Sequence, residues 1–99
     1  MLKLSKPVLF RRVSTTGMAP KLRPGQWILA TPLFRKLHPG QVVIVEQNHK
    51  ELIKRIERIE DDKVFVIGDN LPRSIDSRQF GWLDREAVIA KVFRPNLAK

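Results

Sequence analysis

Glu51-Leu52-Ile53-Lys54-Arg55-Ile56-Glu57-Arg58-Ile59-Glu60 admits two readings, and the choice between them sets the class of the whole chain. Leu52, Ile56 and Ile59 recur at helical spacing in a stretch rich in Glu, Lys and Arg, so propensity alone favours an amphipathic helix. The residues before it point the other way. Gln41-Val42-Val43-Ile44-Val45-Glu46 is a near-continuous apolar run bounded by turn residues, the clearest strand in the chain. Gln47 to Lys50 would then be a hairpin connection, and a hairpin partner can override weak helical propensity.

Outward from this pair, strands recur at short intervals. Asp61-Asp62-Lys63 reads as a turn into Val64 to Ile67, and Ala87 to Phe93 as a final strand after a short helical turn at Leu83 to Glu86. Upstream, Val8 to Val13 and Gln26 to Ala30 have strand composition. Leu22-Arg23-Pro24-Gly25 between them has proline to preset one central position and glycine to take a positive φ. Residues 31 to 40 hold two prolines, a basic pair and a closing Pro39-Gly40, which makes them loop, and Pro95 onward reads as a frayed tail. The expected fold is mainly β, an antiparallel sheet folded on itself, in a single domain over residues 1–99 with its core at about 8–93.

Composition narrows the chemistry. A hydrophobic content of 42% with 29% charged residues suits a globular domain. The absence of cysteine removes disulfides, thiol catalysis and the usual structural zinc sites. His38 and His49 both lie beside turn residues, so no metal site and no cofactor is expected. A net charge of +9 and a pI near 10.7 favour polyanions, including anionic lipid headgroups, although the basic pairs Arg11-Arg12, Arg35-Lys36 and Lys54-Arg55 are scattered. No stretch approaches the roughly eighteen apolar residues of a membrane span, and Pro7 to Phe10 is too short for the core of a signal peptide. A cytoplasmic protein, or one peripheral at a membrane, is expected.

Gly68 to Trp82, Gly-Asp-Asn-Leu-Pro-Arg-Ser-Ile-Asp-Ser-Arg-Gln-Phe-Gly-Trp, comes after the apolar run Val64 to Ile67, so a strand ends in a loop dense with hydroxyls, carboxylates and guanidinium groups. Arg73 and Arg78 can fork onto Asp69 or Asp76, which would stiffen the loop and fix Ser74 and Ser77. A solvated surface loop kept soluble by its charges is the competing reading.

This loop resembles the Gly-Asp-Asn-…-Ser-x-Asp-Ser-Arg-x-x-Gly box of the type I signal peptidases and related serine–lysine maturation proteases. Gly17-Met18-Ala19-Pro20-Lys21-Leu22-Arg23-Pro24-Gly25 is similar to that family's nucleophile box, and Ile53-Lys54-Arg55 to its Lys-Arg box. Three boxes in the right order over about residues 13 to 93 are more specific than one. The resemblance implies the LexA-like and signal peptidase-like fold reduced to its catalytic core, and it implies a strand at residues 51–60. Lys54 would then point into the site, with Ile53, Arg55 and Glu57 on the opposite face. It further implies Lys54 as general base, Ser74 as the hydroxyl that orients it, Thr15 as an oxyanion donor, and Asp69, Asp76 and Arg78 as structural groups. Compactness looks most similar to the short maturation proteases of nickel-type superoxide dismutase. The implied partner is an extended precursor peptide with small residues before its cleavage site.

Two positions depart from the pattern. Gly17 stands where the family has its serine nucleophile, and Lys21 where it has threonine. Glycine has no atom with which to attack a carbonyl, so three explanations compete: a non-catalytic relative that binds peptides, a Ser→Gly substitution, and a nucleophile relocated to Thr16 or Ser14. Relocation is the weakest of the three, since moving the attacking oxygen by one residue reverses its side on a strand. A small basic nucleic-acid-binding domain, with Trp27 and Trp82 stacking on bases, is the rival from another class.

Overall fold

The computed structural model describes residues 7–97. Among them are seven strands: β1 (Leu9–Arg12), β2 (Trp27–Thr31), β3 (Val42–Gln47), β4 (Lys50–Glu60), β5 (Lys63–Ile67), β6 (Leu83–Asp84) and β7 (Val88–Arg94). They form one sheet in the order β1-β2-β7-β3-β4-β5-β6, with every neighbouring pair antiparallel. A short helix, α1 (Ser77–Phe80), and 3-10 turns at Leu71–Arg73 and Arg85–Ala87 complete it. The fold is mainly β, as the strand spacing implies. No helix among the described residues is long and apolar enough to cross a membrane.

The stretch with two readings is a strand. β3 and β4 pair from Val42↔Arg55 to Gln47↔Lys50 across a two-residue turn in which Asn48 (φ 53°) and His49 (φ 64°) both take positive φ. Positive φ at both central positions gives the turn the hand that matches strand twist. The helical spacing of Leu52, Ile56 and Ile59 has a physical cause. The register between β4 and β5 slips between Ile56 and Arg58, so Glu57 is an extra residue that reverses the phase of the side chains beyond it. Leu52, Ile56 and Ile59 therefore join one hydrophobic cluster although the step from Ile56 to Ile59, across the slip, is three residues and not a multiple of two.

β3 is apolar from Val42 to Val45 because both faces of that part are covered, and it turns polar at Glu46 and Gln47 where the burial ends. Val42 and Ile44 pack with Val13, Met18, Leu22, Ile28, Ala30 and Ala90, whereas Val43 and Val45 pack with Ile56, Val64, Val66 and Val88. Phe34 and Leu37 from the loop after β2, with Phe80 of α1, close over the second cluster.

Several local expectations are corrected. Position 17 lies in a turn, several residues beyond the end of β1, so the alternation of a strand does not govern residues 14–17. Leu83–Asp84 is a short strand paired with Lys63 and Val64, and the helical turn comes after it. Residues 77–80 form a helix closed at its start by a capping box, in which Asp76 accepts from the Arg78 N–H and the Gln79 side chain accepts from the Asp76 N–H. The segment after Pro95 is docked through Leu97, which packs on the first cluster; residues 98 and 99 lie outside the described residues.

Leu97 is held by Arg55. The Arg55 guanidinium, with 3% of its side chain exposed, donates through Nε and Nη2 to the two oxygens of Asp69 at 2.8 and 2.7 Å. Its Nη1 donates to the carbonyls of Gly40 and Leu97 at 2.7 and 2.6 Å. One cation thus ties β4 to the loop after β5, the turn before β3 and the segment after β7. Losing one partner of a buried, forked pair costs about 3–5 kcal/mol. We expect Arg55→Ala to lower unfolding free energy by about that amount in urea titrations; a loss below about 1 kcal/mol, the range of an exposed pair, would contradict this reading.

Candidate active site

Lys54 enters the site from β4 and is almost fully buried. Its Nζ donates to Ser74 Oγ at 2.8 Å, and Ser74 Oγ donates to Asp76 Oδ2 at 2.7 Å. Asp76 is fully buried and accepts also from the Gly68 N–H at 2.8 Å and from Arg78 Nε and Nη2 at 2.9 and 3.0 Å. Arg78 reaches on to the carbonyls of Leu71 and Ser74, closing the loop on itself. Lysine amine, hydroxyl, carboxylate and guanidinium make one chain of hydrogen bonds.

This chain sets the electrostatics of the site. Burial pushes the Lys54 amine down from the usual lysine range; the Asp76 carboxylate opposes that shift and Arg78 adds to it. For Asp76, burial alone would raise the carboxyl, but the bonds from Arg78, the Gly68 N–H and Ser74 outweigh it and hold it well below the usual carboxylate range. The carboxylate stays charged and keeps the Ser74 proton directed at itself.

The turn carrying Gly17 docks against this cluster. Asn70 donates its backbone N–H to the Gly17 carbonyl and its side-chain amide to the Thr16 carbonyl, both at 2.9 Å, and the Asp69 N–H donates to Met18 Sδ at 3.4 Å. A Cβ placed on Gly17 would stand 3.1 Å from Lys54 Nζ and 3.7 Å from Ser74 Oγ. A side chain at position 17 would therefore begin beside the lysine amine. Gly68 permits the close approach, since a Cβ there would come within 2.2 Å of Ser74 Oγ and 2.5 Å of the Gly17 carbonyl oxygen.

Of the residues singled out in the sequence, Lys54, Gly17, Ser74, Asp76 and Arg78 come together. Thr15 is exposed in the same turn and outside the hydrogen-bonded cluster. Asp69 pairs with Arg55, not with Arg73 or Arg78; Arg73 is exposed. Sequence reasoning misses the roles of Arg55 and Asn70, although each stands inside a quoted box. Their partners lie 14 to 54 positions away in the chain, beyond any local pattern.

Ser74 is the hydroxyl nearest the lysine, yet it is poorly placed to attack. Its oxygen is enclosed by Lys54, Asp76 and Gly68, and its proton is committed to Asp76. That geometry suits holding the amine. It leaves the amine's remaining direction open towards position 17.

A family model described as signal peptidase, peptidase S26, matches residues 57–96. Over that interval the chain is similar to the signal peptidases; the match contains the loop of Gly68, Ser74, Asp76 and Arg78 and excludes Gly17 and Lys54. The chain matches no curated protein.

The loop can be tested in two ways. Gly68→Ala should cost about 1–3 kcal/mol through overpacking and separate Ser74 from Lys54, read by thermal melts; an unchanged melting temperature would show that the loop yields freely. The depressed Asp76 value gives a sign for acid. Its contribution is full above the ordinary carboxylate value of about 3.9 and is lost as pH falls from there towards the lower folded value. Asp76→Asn should flatten this acid-side fall, and an undiminished fall would place its source elsewhere.

Proposed function

We propose that the chain is a serine–lysine endopeptidase-type domain, related to the short precursor-maturing proteases, in which a peptide-receiving site is retained and the nucleophile is missing. The observation that carries this is the position of the Lys54 amine, held by Ser74 and Asp76, next to the Cα of residue 17. A lowered amine pKa suits a general base acting on a hydroxyl. As it stands the domain binds the N-terminal segment of a precursor in extended form, by main-chain hydrogen bonds along a strand edge, without cutting it. It does so in the cytoplasm or at the surface of an anionic membrane.

Supplying a serine would complete the reaction. Lys54 would take the proton from the Ser oxygen as that oxygen bonds to the peptide carbonyl, and would pass it to the departing amine as the C–N bond breaks. Water, activated by the same amine, would then release the acyl group. The backbone N–H of residue 17 and Thr15 are the candidate donors to the oxyanion.

The experiment compares the chain, Gly17→Ser, and Gly17→Ser with Lys54→Ala on precursors with small residues before the scissile bond. Cleavage is expected from Gly17→Ser alone. Its rate should rise with pH through a Lys54 value below the usual 10.4 or so, because only the neutral amine accepts a proton. Cleavage by the Gly17 chain would show that another group attacks. Loss of peptide binding in all three forms would end the peptide-receiving reading.

A further inference from the structure

The excess positive charge is not evenly distributed. The first carboxylate in the chain is Glu46, and residues 1–45 carry eight Lys and Arg. The remaining 11 of the 19 cations are nearly balanced by all 10 acids, so +8 of the net +9 sits in the part that contributes β1, the Gly17 turn and β2. The ion pairs among the described residues repeat the asymmetry: Arg55, Arg58, Lys63 and Arg78 pair with acids in their own half, and among residues 7–45 Arg11 alone is paired, with Glu51.

Some of this surplus borders the site. A cleft of about 230 Å³ runs between Pro20 and Lys21 on one side and Ile67, Gly68, Asp69 and Leu71 on the other. Gly68 is its link to the site, being packed against Ser74 Oγ and the Gly17 carbonyl. The wall carboxylate, Asp69, has both oxygens bonded by Arg55. Lys21 is exposed and makes no ion pair among the described residues, and the same holds for Arg23 in the same turn and for Arg73 beside the Leu71 wall. The cleft therefore offers apolar wall surface with one cation, Lys21, in its lining, and Arg23 and Arg73 stand two residues in sequence from its lining residues Lys21 and Leu71.

We infer that the segment received by this site is acidic, with one carboxylate seated against Lys21 in this cleft and neighbouring carboxylates facing Arg23 and Arg73. The inference rests on the peptide-receiving reading and adds the chemistry of the ligand. Rim charges contribute modestly each and act through on-rate and register, so several together set a preference. A polynucleotide has the charge but not the single extended main chain that a strand edge pairs with.

The test uses fluorescein-labelled decapeptides of Gly, Ala and Val, carrying either two adjacent aspartates moved along the chain, or two serines, or two lysines at the same places. Anisotropy is read on the chain as it stands, on Lys21→Glu, and on Lys36→Glu. Lys36→Glu makes the same change of net charge in a different cleft, beside Ile59 and Asp62. We expect the best-placed aspartate peptide to bind about tenfold tighter than its serine form, at about two- to fivefold per rim pair, and less so as salt is raised. Lys21→Glu should abolish that preference and Lys36→Glu should leave it. Equal binding of aspartate and serine peptides would overturn this inference while leaving the peptide reading standing, as would equal losses from both Glu variants. Binding of no peptide at all would remove the reading beneath it. Displacement of the acidic peptide by an oligonucleotide of equal charge, with Lys21→Glu weakening both alike, would identify a general polyanion surface instead.

Discussion

A fully buried carboxylate has to be surrounded by donors, and the loop after β5 is arranged around that requirement. Asp76 receives two backbone N–H groups, one hydroxyl and a forked guanidinium. Each donor fixes something else. The Gly68 N–H sets where β5 ends, Ser74 sets where the Lys54 amine rests, and the Arg78 N–H starts α1. Arg78 itself is over a third exposed while its partner is sealed, so the pair works as a clasp closed from outside. If Asp76 were removed, the lysine would lose its orienting hydroxyl before it lost any contact of its own.

The strands are legible in the sequence where burial is simple. β3 reads directly because covering both faces makes Val42 to Val45 apolar in succession, and turns at Pro39-Gly40 and Asn48-His49 bracket it. β4 is harder for an equally physical reason: one extra residue at Glu57 shifts the phase of its apolar side chains, and the shifted pattern imitates a helix. The capping box at Asp76 and Gln79 is written in the chain but hidden among charges that have another reading. Pairing at a distance leaves no local trace. Asp69 has Arg73 and Arg78 close by in sequence, yet its carboxylate goes to Arg55, because the β4–β5 pairing places Arg55 opposite Ile67, two residues before it.

The two arginines that build the site differ from the cations that surround it. Arg55 and Arg78 spend their donors on carbonyls and carboxylates of their own chain, which is why their loops hold a shape. Lys21, Arg23 and Arg73 stay exposed. Neither the supports of this cluster nor its surface charge depends on which side chain stands at position 17.

β7 lies between β2 and β3 in the sheet, although it comes after both in the chain by more than forty residues. During synthesis β2 and the β3–β4 hairpin emerge with a vacancy between them, and Ala90 and Val88 are each needed to finish one of the two clusters. The nascent domain therefore cannot seal either half early. Its apolar edges remain open until β7 leaves the ribosome and slots between them, so closure of the sheet waits on synthesis of all seven strands.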